Sequence, residues 1–240
     1  MAKYALQKYE TIDCDFFHTL VIFFGNYFDA DAATVQFPYI SEVLEMTVAE
    51  MKEQASRSAA VFSPMMLHIV INLVRMACRL MSTEAEISSV QRIVRAAVQT
   101  RCRTEDGLTV LHLDILVSYN ERRSHLPSNA VVKSLLAAEA YVNSMDAGGN
   151  TPLHIAVFKE PETSSRRDLW LEVINLLLQY GAHVDFANYR GETASELLPP
   201  SVDVFKHVSL KCLAARALRT YHVTYRGIVP TTLAVFVDKH

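Results

Sequence analysis

The sequence predicts an all-α protein, a helical solenoid built of stacked helix pairs. Two observations carry this reading. Apolar residues recur at helical spacing in one segment after another, and a motif in the second half of the chain returns at a fixed interval, the mark of a repeat array. The chain has 240 residues, half of them hydrophobic, which is ample for one continuous solenoid core rather than separate globules.

Taken in order, helical stretches are expected near residues 3–28 and 41–56, with Asp29 to Pro38 between them. The run SPMMLHIVINLVRMACRLM follows. Ser63 suits its N-cap and Pro64 its first turn, where a missing N–H does no harm. Its apolar residues lie nearly all round the wheel, so this helix is expected to be buried on most sides. Thr83 and Glu86 then have the spacing of a capping box for a helix running toward Gln99. Residues 1–103 thus read as antiparallel helix pairs.

Residues 104–200 repeat. DGLTVLHL from Asp106, GGNTPLHIA from Gly148 and YRGETASELL from Tyr189 align, placing Thr109, Thr151 and Thr193 at intervals of 42 residues. This is the ankyrin pattern, stretched beyond its usual ~33-residue period. Each letter has a physical reason. Thr151 is expected to cap the first helix of its repeat, Pro152 fits the first turn, and Leu153 and Ala156 face the neighbouring repeat. His154 is expected to tie adjacent turns together by hydrogen bonds, and His112 occupies the same position of its repeat. In the second helix, LEVINLLLQYGAHVD, Leu176 and Leu177 point inward and Gly181 takes the left-handed position after the helix end. The preceding repeat keeps Leu135, Leu136 and Val142 but has Glu139 at the glycine position, a cost of about 1 kcal/mol. The extra length falls in YNERRSHLPSN (119–129) and KEPETSSRRD (159–168), polar stretches between paired helices. Each carries an arginine pair, Arg122–Arg123 and Arg166–Arg167; a solvated loop is the first reading and contact with an acidic surface the second.

Residues 201–240 end in SLKCLAARALRTYHVTYRGIVPTTLAVFVDKH. Leu210, Leu213, Ala214, Ala217 and Leu218 form one stripe of a short helix, with Lys211, Arg216 and Arg219 elsewhere on the wheel. Pro230 opens a second helix with Leu233, Phe236 and Val237 on one side, and Gly227 lets the chain reverse between them. So small a hairpin cannot bury these faces by itself. They seal the end of this array or meet another protein.

The words LKCLAARAL and YRGIVPTTLAVFV resemble the C-terminal box of the feminization (Fem-1-like) family of ubiquitin-ligase substrate receptors. KYALQ at residues 3–7 and SPMML at 63–67 resemble that family's tetratricopeptide-like (TPR-like) middle region. The resemblance implies that residues 1–103 are TPR-like, that 104–200 are ankyrin repeats with long insertions, and that 201–240 form an elongin/cullin (VHL-type) box. It implies docking on elongin B/C through Leu210, supported by Cys212 and Leu213. It also implies a cullin-2-facing element made of Ile228, Val229, Pro230, Leu233 and Phe236. The general elongin box has a cysteine four residues after its leucine; here that residue is Ala214, and Cys212 stands two residues after Leu210. Family members carry a large ankyrin array ahead of these regions, which holds their substrate pocket, so no substrate-contacting residue carries over. The implied function is a substrate-receptor or adaptor subunit of a cullin-2 ligase, with a protein substrate, acting in the cytoplasm or nucleus. An ankyrin scaffold without a ligase, or a receptor lacking its substrate end, are the alternatives.

Other classes find little support. A formal charge of −3 argues against general nucleic-acid binding. No segment reads as a membrane span or a signal peptide. Cys14, Cys78, Cys102 and Cys212 are scattered, so spacing signals neither a disulfide framework nor a metal site. Phosphate loops, nucleophile elbows and H-E-x-x-H motifs are absent. The chain is therefore expected to be non-catalytic and without a cofactor, and a structural role is expected for His112, His154 and His183.

Overall fold

A computed structural model describes residues 37–57, 64–120, 128–158 and 164–240. The expected helix at 3–28, the Ser63 cap, and most of the two polar stretches, including Arg122 and Arg123, lie outside these. The described residues form helices and short turns, and Ala187 and Thr193 pair in an isolated antiparallel bridge.

Helix α1 (Phe37–Arg57) starts four residues ahead of the expected boundary. It buries Ile40, Leu44, Val48 and Met51, one helical face, against α2 (Pro64–Leu80) and α3 (Glu84–Gln99). As expected, α2 is enclosed on most sides: Leu67, Val70, Ile71, Leu73, Val74 and Ala77 are all buried. The capping box on α3 forms in both directions. The Glu86 N–H donates to Thr83 Oγ1, and the Thr83 N–H donates to Glu86 Oε2 at 2.9 Å.

The repeats follow as α4 (Val110–Asn120) with α5 (Ser128–Ala137), then α6 (Pro152–Phe158) with α7 (Ser164–Gln179). A buried ion pair joins the first repeat to the preceding helices. The Arg75 guanidinium on α2 donates to Asp114 Oδ1 on α4 from Nη2 (2.7 Å) and Nε (3.1 Å), and both side chains are almost fully enclosed. One apolar core runs from Ile40 to Ala194.

The two ankyrin histidines do the same work in successive repeats. His112 Nδ1 bonds with Thr109 Oγ1 (2.8 Å) and its Nε2 reaches the Asn150 carbonyl at 3.2 Å. His154 Nδ1 bonds with Thr151 Oγ1 (2.8 Å) and its Nε2 reaches the Glu192 carbonyl at 3.2 Å. Each ring thus bridges its own helix start to the next turn. Burial dominates both rings' acid–base behaviour: it pulls His112 down to about 4 and lowers His154 as well, so both are neutral at pH 7. Turn-to-turn amide bonds add to the ladder, Ala147 N–H to Asp106 O at 2.8 Å and Tyr189 N–H to Gly148 O at 3.0 Å.

Gly181 has φ +85°, and Glu139 at the equivalent place is held at φ +66°, a conformation that side chains other than glycine disfavour. Two expectations need revising. Helix α7 begins at Ser164, so residues 164–168 are helical rather than loop. The extra turns bring Trp170 into the core, where its indole N–H donates to the Ala156 carbonyl at 2.7 Å. The third copy does not continue as a helix pair. It closes in a single 3-10 turn at Ala194–Glu196, because Ala194, Ser195 and Glu196 stand where the second copy has Pro152, Leu153 and His154, and Pro199–Pro200 then stop any helix. A second 3-10 turn, Val204–His207, leads into the terminal hairpin.

Candidate functional site

The hairpin consists of α8 (Leu210–Thr220) and α9 (Thr231–Asp238), packed against each other. Ser209 caps α8 by accepting the Cys212 N–H at 3.1 Å. Pro230 supplies the carbonyl that starts α9, accepting from Leu233 and Ala234 N–H. Gly227 makes the reversal at φ +81°. Asp238 ties the connection down, accepting from Tyr225, from Arg226 at 3.0 Å and, through its backbone carbonyl, from Arg219 at 2.7 Å.

The orientation of α8 decides its role. The stripe of Leu210, Leu213, Ala214 and Ala217 points to solvent, with Leu210 85% and Leu213 51% exposed, and Leu218 is half-buried. The side facing the protein presents Cys212 and Ala215. An amphipathic helix would normally turn its leucines inward, gaining about 1.5–3 kcal/mol for each one buried. Here they are left out, and α8 displays an apolar surface rather than covering one.

The other site residues divide. Ile228 is 75% exposed and Pro230 is exposed, while Val229 and Leu233 are half-buried. Phe236 packs inward, 6.1 Å from Phe186 and 4.4 Å from His240 between ring centroids, under the Lys211 ammonium at 3.9 Å. Cys212 requires a correction. It is fully buried on the opposite side of α8 from Leu210, with His183 Nδ1 3.2 Å from its sulfur, so it cannot share a contact surface with Leu210 and Leu213. Burial pushes its thiol up.

That inner side is where the hairpin meets the array. The Ala187 N–H donates to the Lys239 carbonyl at 2.8 Å. His183 stacks flat on Phe186 at 4.3 Å, and His240 meets Phe186 edge-on at 4.8 Å. Asn143 positions His183 from the preceding repeat, donating to the Gly181 carbonyl (2.8 Å) and accepting the His183 N–H (2.9 Å). Sequence reasoning placed His183 in the array and Cys212 in the box, but nothing in their spacing showed that they touch.

The ankyrin-repeat profile matches residues 148–189. A search for relatives found the protein fem-1 homolog CG6966 of Drosophila melanogaster, 38% identical over 120 residues, which are 48% of this chain and 17% of that protein. Human fem-1 homolog A is 32% identical over 184 residues, 72% of this chain and 26% of the relative. The chain resembles the Fem-1 proteins. With human fem-1 homolog C the likeness extends over 225 residues at 26% identity, 86% of this chain and 34% of the relative. The chain thus spans between a sixth and about a third of the length of these Fem-1 relatives. The Fem-1 likeness and the ankyrin array support a repeat-based protein-interaction or adaptor role. No helix among the described residues is long and apolar enough to cross a membrane.

Proposed function

We propose that this chain is an adaptor subunit of a cullin-2 ubiquitin ligase, docking on elongin B/C through Leu210 and Leu213 and on cullin-2 through the Ile228–Pro230 segment and Leu233. The observation that carries the reading is the outward apolar face of α8. A terminal helix whose only task was to seal the array would bury Leu210 and Leu213, whereas both lie open. Ile228 and Pro230, also exposed, offer a second apolar element on the same hairpin. The helices and ankyrin repeats then serve as the rigid body that presents the hairpin, and ubiquitin transfer belongs to the recruited partners. An adaptor of this kind works by proximity, raising the effective concentration of a bound protein near the charged enzyme.

The inward packing of Phe236 favours a division of labour, in which Phe236 anchors α9 to the array and Leu233 and Ile228 remain for the partner. The test is a pulldown of purified elongin B/C and cullin-2 with the full chain, its Leu210→Ala variant and its Pro230→Ala variant. Leu210→Ala should weaken elongin binding by about 2 kcal/mol or more, roughly 30-fold. Because Leu210 touches little of its own protein, the unfolding midpoint should stay put. Pro230→Ala should weaken cullin-2 selectively. Elongin binding that survives Leu210→Ala in a folded chain would sink the docking assignment and leave an ankyrin scaffold.

A further inference from the structure

Beneath the hairpin, four side chains from three elements converge on one point. His183 and Asp185 come from the turn after α7, Cys212 from the third residue of α8, and His240 from the residues just after α9. One ligand atom from each lies within 4.8 Å of all the others, and Asp185, Cys212 and His240 are buried. The measured separations are 3.2 Å from His183 Nδ1 to Cys212 Sγ, 3.4 Å from His240 Nε2 to Asp185 Oδ1, and 3.9 Å from His183 Nδ1 to Asp185 Oδ1. With zinc bond lengths of about 2.0–2.3 Å, the edges of a tetrahedral N/O/S site are about 3.3–3.6 Å. These three separations lie within about 0.6 Å of such edges, and the other pairs, within 4.8 Å, need the ligands to draw in slightly around the ion.

The hydrogen bonding around the cluster is that of a metal site. Both Asp185 oxygens and His240 Nε2 are enclosed without a well-formed hydrogen bond, their contacts being the long approaches just given, a costly state for three polar atoms. A simple Asp185–His240 ion pair would close to about 2.7–2.9 Å, as the buried Arg75–Asp114 pair does at 2.7 Å. At 3.4 Å the two groups stand apart, as ligands of a common ion do. His240 Nδ1 is 2.9 Å from the Phe236 carbonyl; donating there leaves the Nε2 lone pair facing inward, the arrangement typical of a metal-bound histidine. Ser209 Oγ donates to Cys212 Sγ at 3.1 Å, a bond of the kind that orients a metal-binding side chain. One thiolate, one carboxylate and two neutral imidazoles would neutralise a divalent ion in a buried place.

The geometry points to a structural zinc site formed by His183, Asp185, Cys212 and His240, which clamps both terminal helices to the last ankyrin turn. Four protein ligands with no open position make the site structural rather than catalytic. This assignment is independent of the identity of the partner that docks on α8.

Cobalt(II) is the probe, because tetrahedral cobalt–thiolate sites absorb strongly and zinc sites do not. The full chain is stripped with a chelator, checked for fold by circular dichroism, and titrated with cobalt(II) and then zinc(II). One cobalt per chain should bind, with intense visible bands of tetrahedral coordination and a thiolate-to-cobalt charge-transfer band, both lost on zinc addition. Cys212→Ser should abolish the charge-transfer band and Cys102→Ser should leave it. Ser209→Ala, which spares all four ligands, should lower metal affinity about 10–100-fold. Zinc should raise the melting temperature of the wild-type chain and not that of Cys212→Ser. A folded wild-type chain that binds no cobalt, or binds it without the charge-transfer band, would overturn the assignment and leave an ion pair beside a free thiol. A charge-transfer band that persists in Cys212→Ser would overturn it equally.

Discussion

The ankyrin histidines make stability depend on pH in a direction that can be worked out beforehand. His112 is fully enclosed, and burial holds its imidazole near 4 in the folded chain, against 6.5 for the free side chain. The unfolded chain therefore binds the extra proton first. Above pH 6.5 both states are neutral at this residue and it contributes no pH dependence. Between 6.5 and 4 the unfolded state gains a proton that the folded state refuses, so stability falls as pH falls. Below about 4 the loss is complete. For one such group the loss between pH 7 and pH 5 is about 2 kcal/mol. His154 shifts in the same direction and adds to it.

The effect is isolated by comparison with His112→Gln, which cannot titrate. At pH 7 the variant should be less stable than wild type by about 1–2 kcal/mol, because the ring bonds to both Thr109 and Asn150. At pH 5 the wild-type chain alone has lost the titration term, so the gap should close toward zero. Other titrating groups, His154 included, are common to both proteins and cancel. Urea unfolding at pH 7, 6 and 5, followed by far-ultraviolet circular dichroism and by the fluorescence of the single, buried Trp170, measures the gap directly. A gap that stays constant across this range would refute the claim that His112 is held neutral by burial.

Two further outcomes test the scaffold. Glu139→Gly should stabilise the chain by about 1 kcal/mol, the relief of a left-handed conformation at φ +66° less the extra flexibility of unfolded glycine; thermal unfolding should shift upward by about 2–4 °C, and a lower midpoint would show that Glu139 makes a compensating contact. Asp114→Ala removes the carboxylate from the enclosed Arg75 guanidinium while leaving its 3.2 Å bond to the carbonyl of residue 114, and should cost about 3–5 kcal/mol in urea unfolding, whereas a change under about 1 kcal/mol would mean that the remaining contacts of the guanidinium suffice.

Much of the scaffold was legible in the sequence because its signals are local. Thr83 and Glu86 are three residues apart, and the Thr–His pairs 109/112 and 151/154 recur with the same spacing, so the capping box and the ankyrin bridges needed no tertiary information. The start of α7 was missed because the polar run Ser164–Asp168 looks like loop; what draws it into a helix is Trp170, which fills the core from the following turn. The shortened third repeat had a readable cause in Ser195 and Glu196 replacing leucine and histidine, but the shared threonine outweighed it. The periodicity of α8 defined its leucine stripe correctly while leaving its direction open, since a helical wheel records which residues share a face and not what that face meets. The convergence of residues 183, 185, 212 and 240 has no local spacing at all. Only the fold brings the array and the hairpin together there.

The two sides of α8 are therefore separable in principle and in experiment. Its inner side, Cys212 and Ala215, belongs with His183, Phe186, Phe236 and His240 and fixes the hairpin to the array. Its outer side, Leu210 and Leu213, contributes little to that attachment. Substitution on the outer side should weaken a partner and spare the fold. Substitution on the inner side should loosen the hairpin, letting the intact leucines sample many orientations, so that a partner gripping both helices is lost through disorder rather than through a missing contact. A rigid inner attachment thus explains how so short a helix can keep its leucines out of the core: the hairpin is held by buried aromatic and polar groups, which leaves its most apolar stripe free to be recognised.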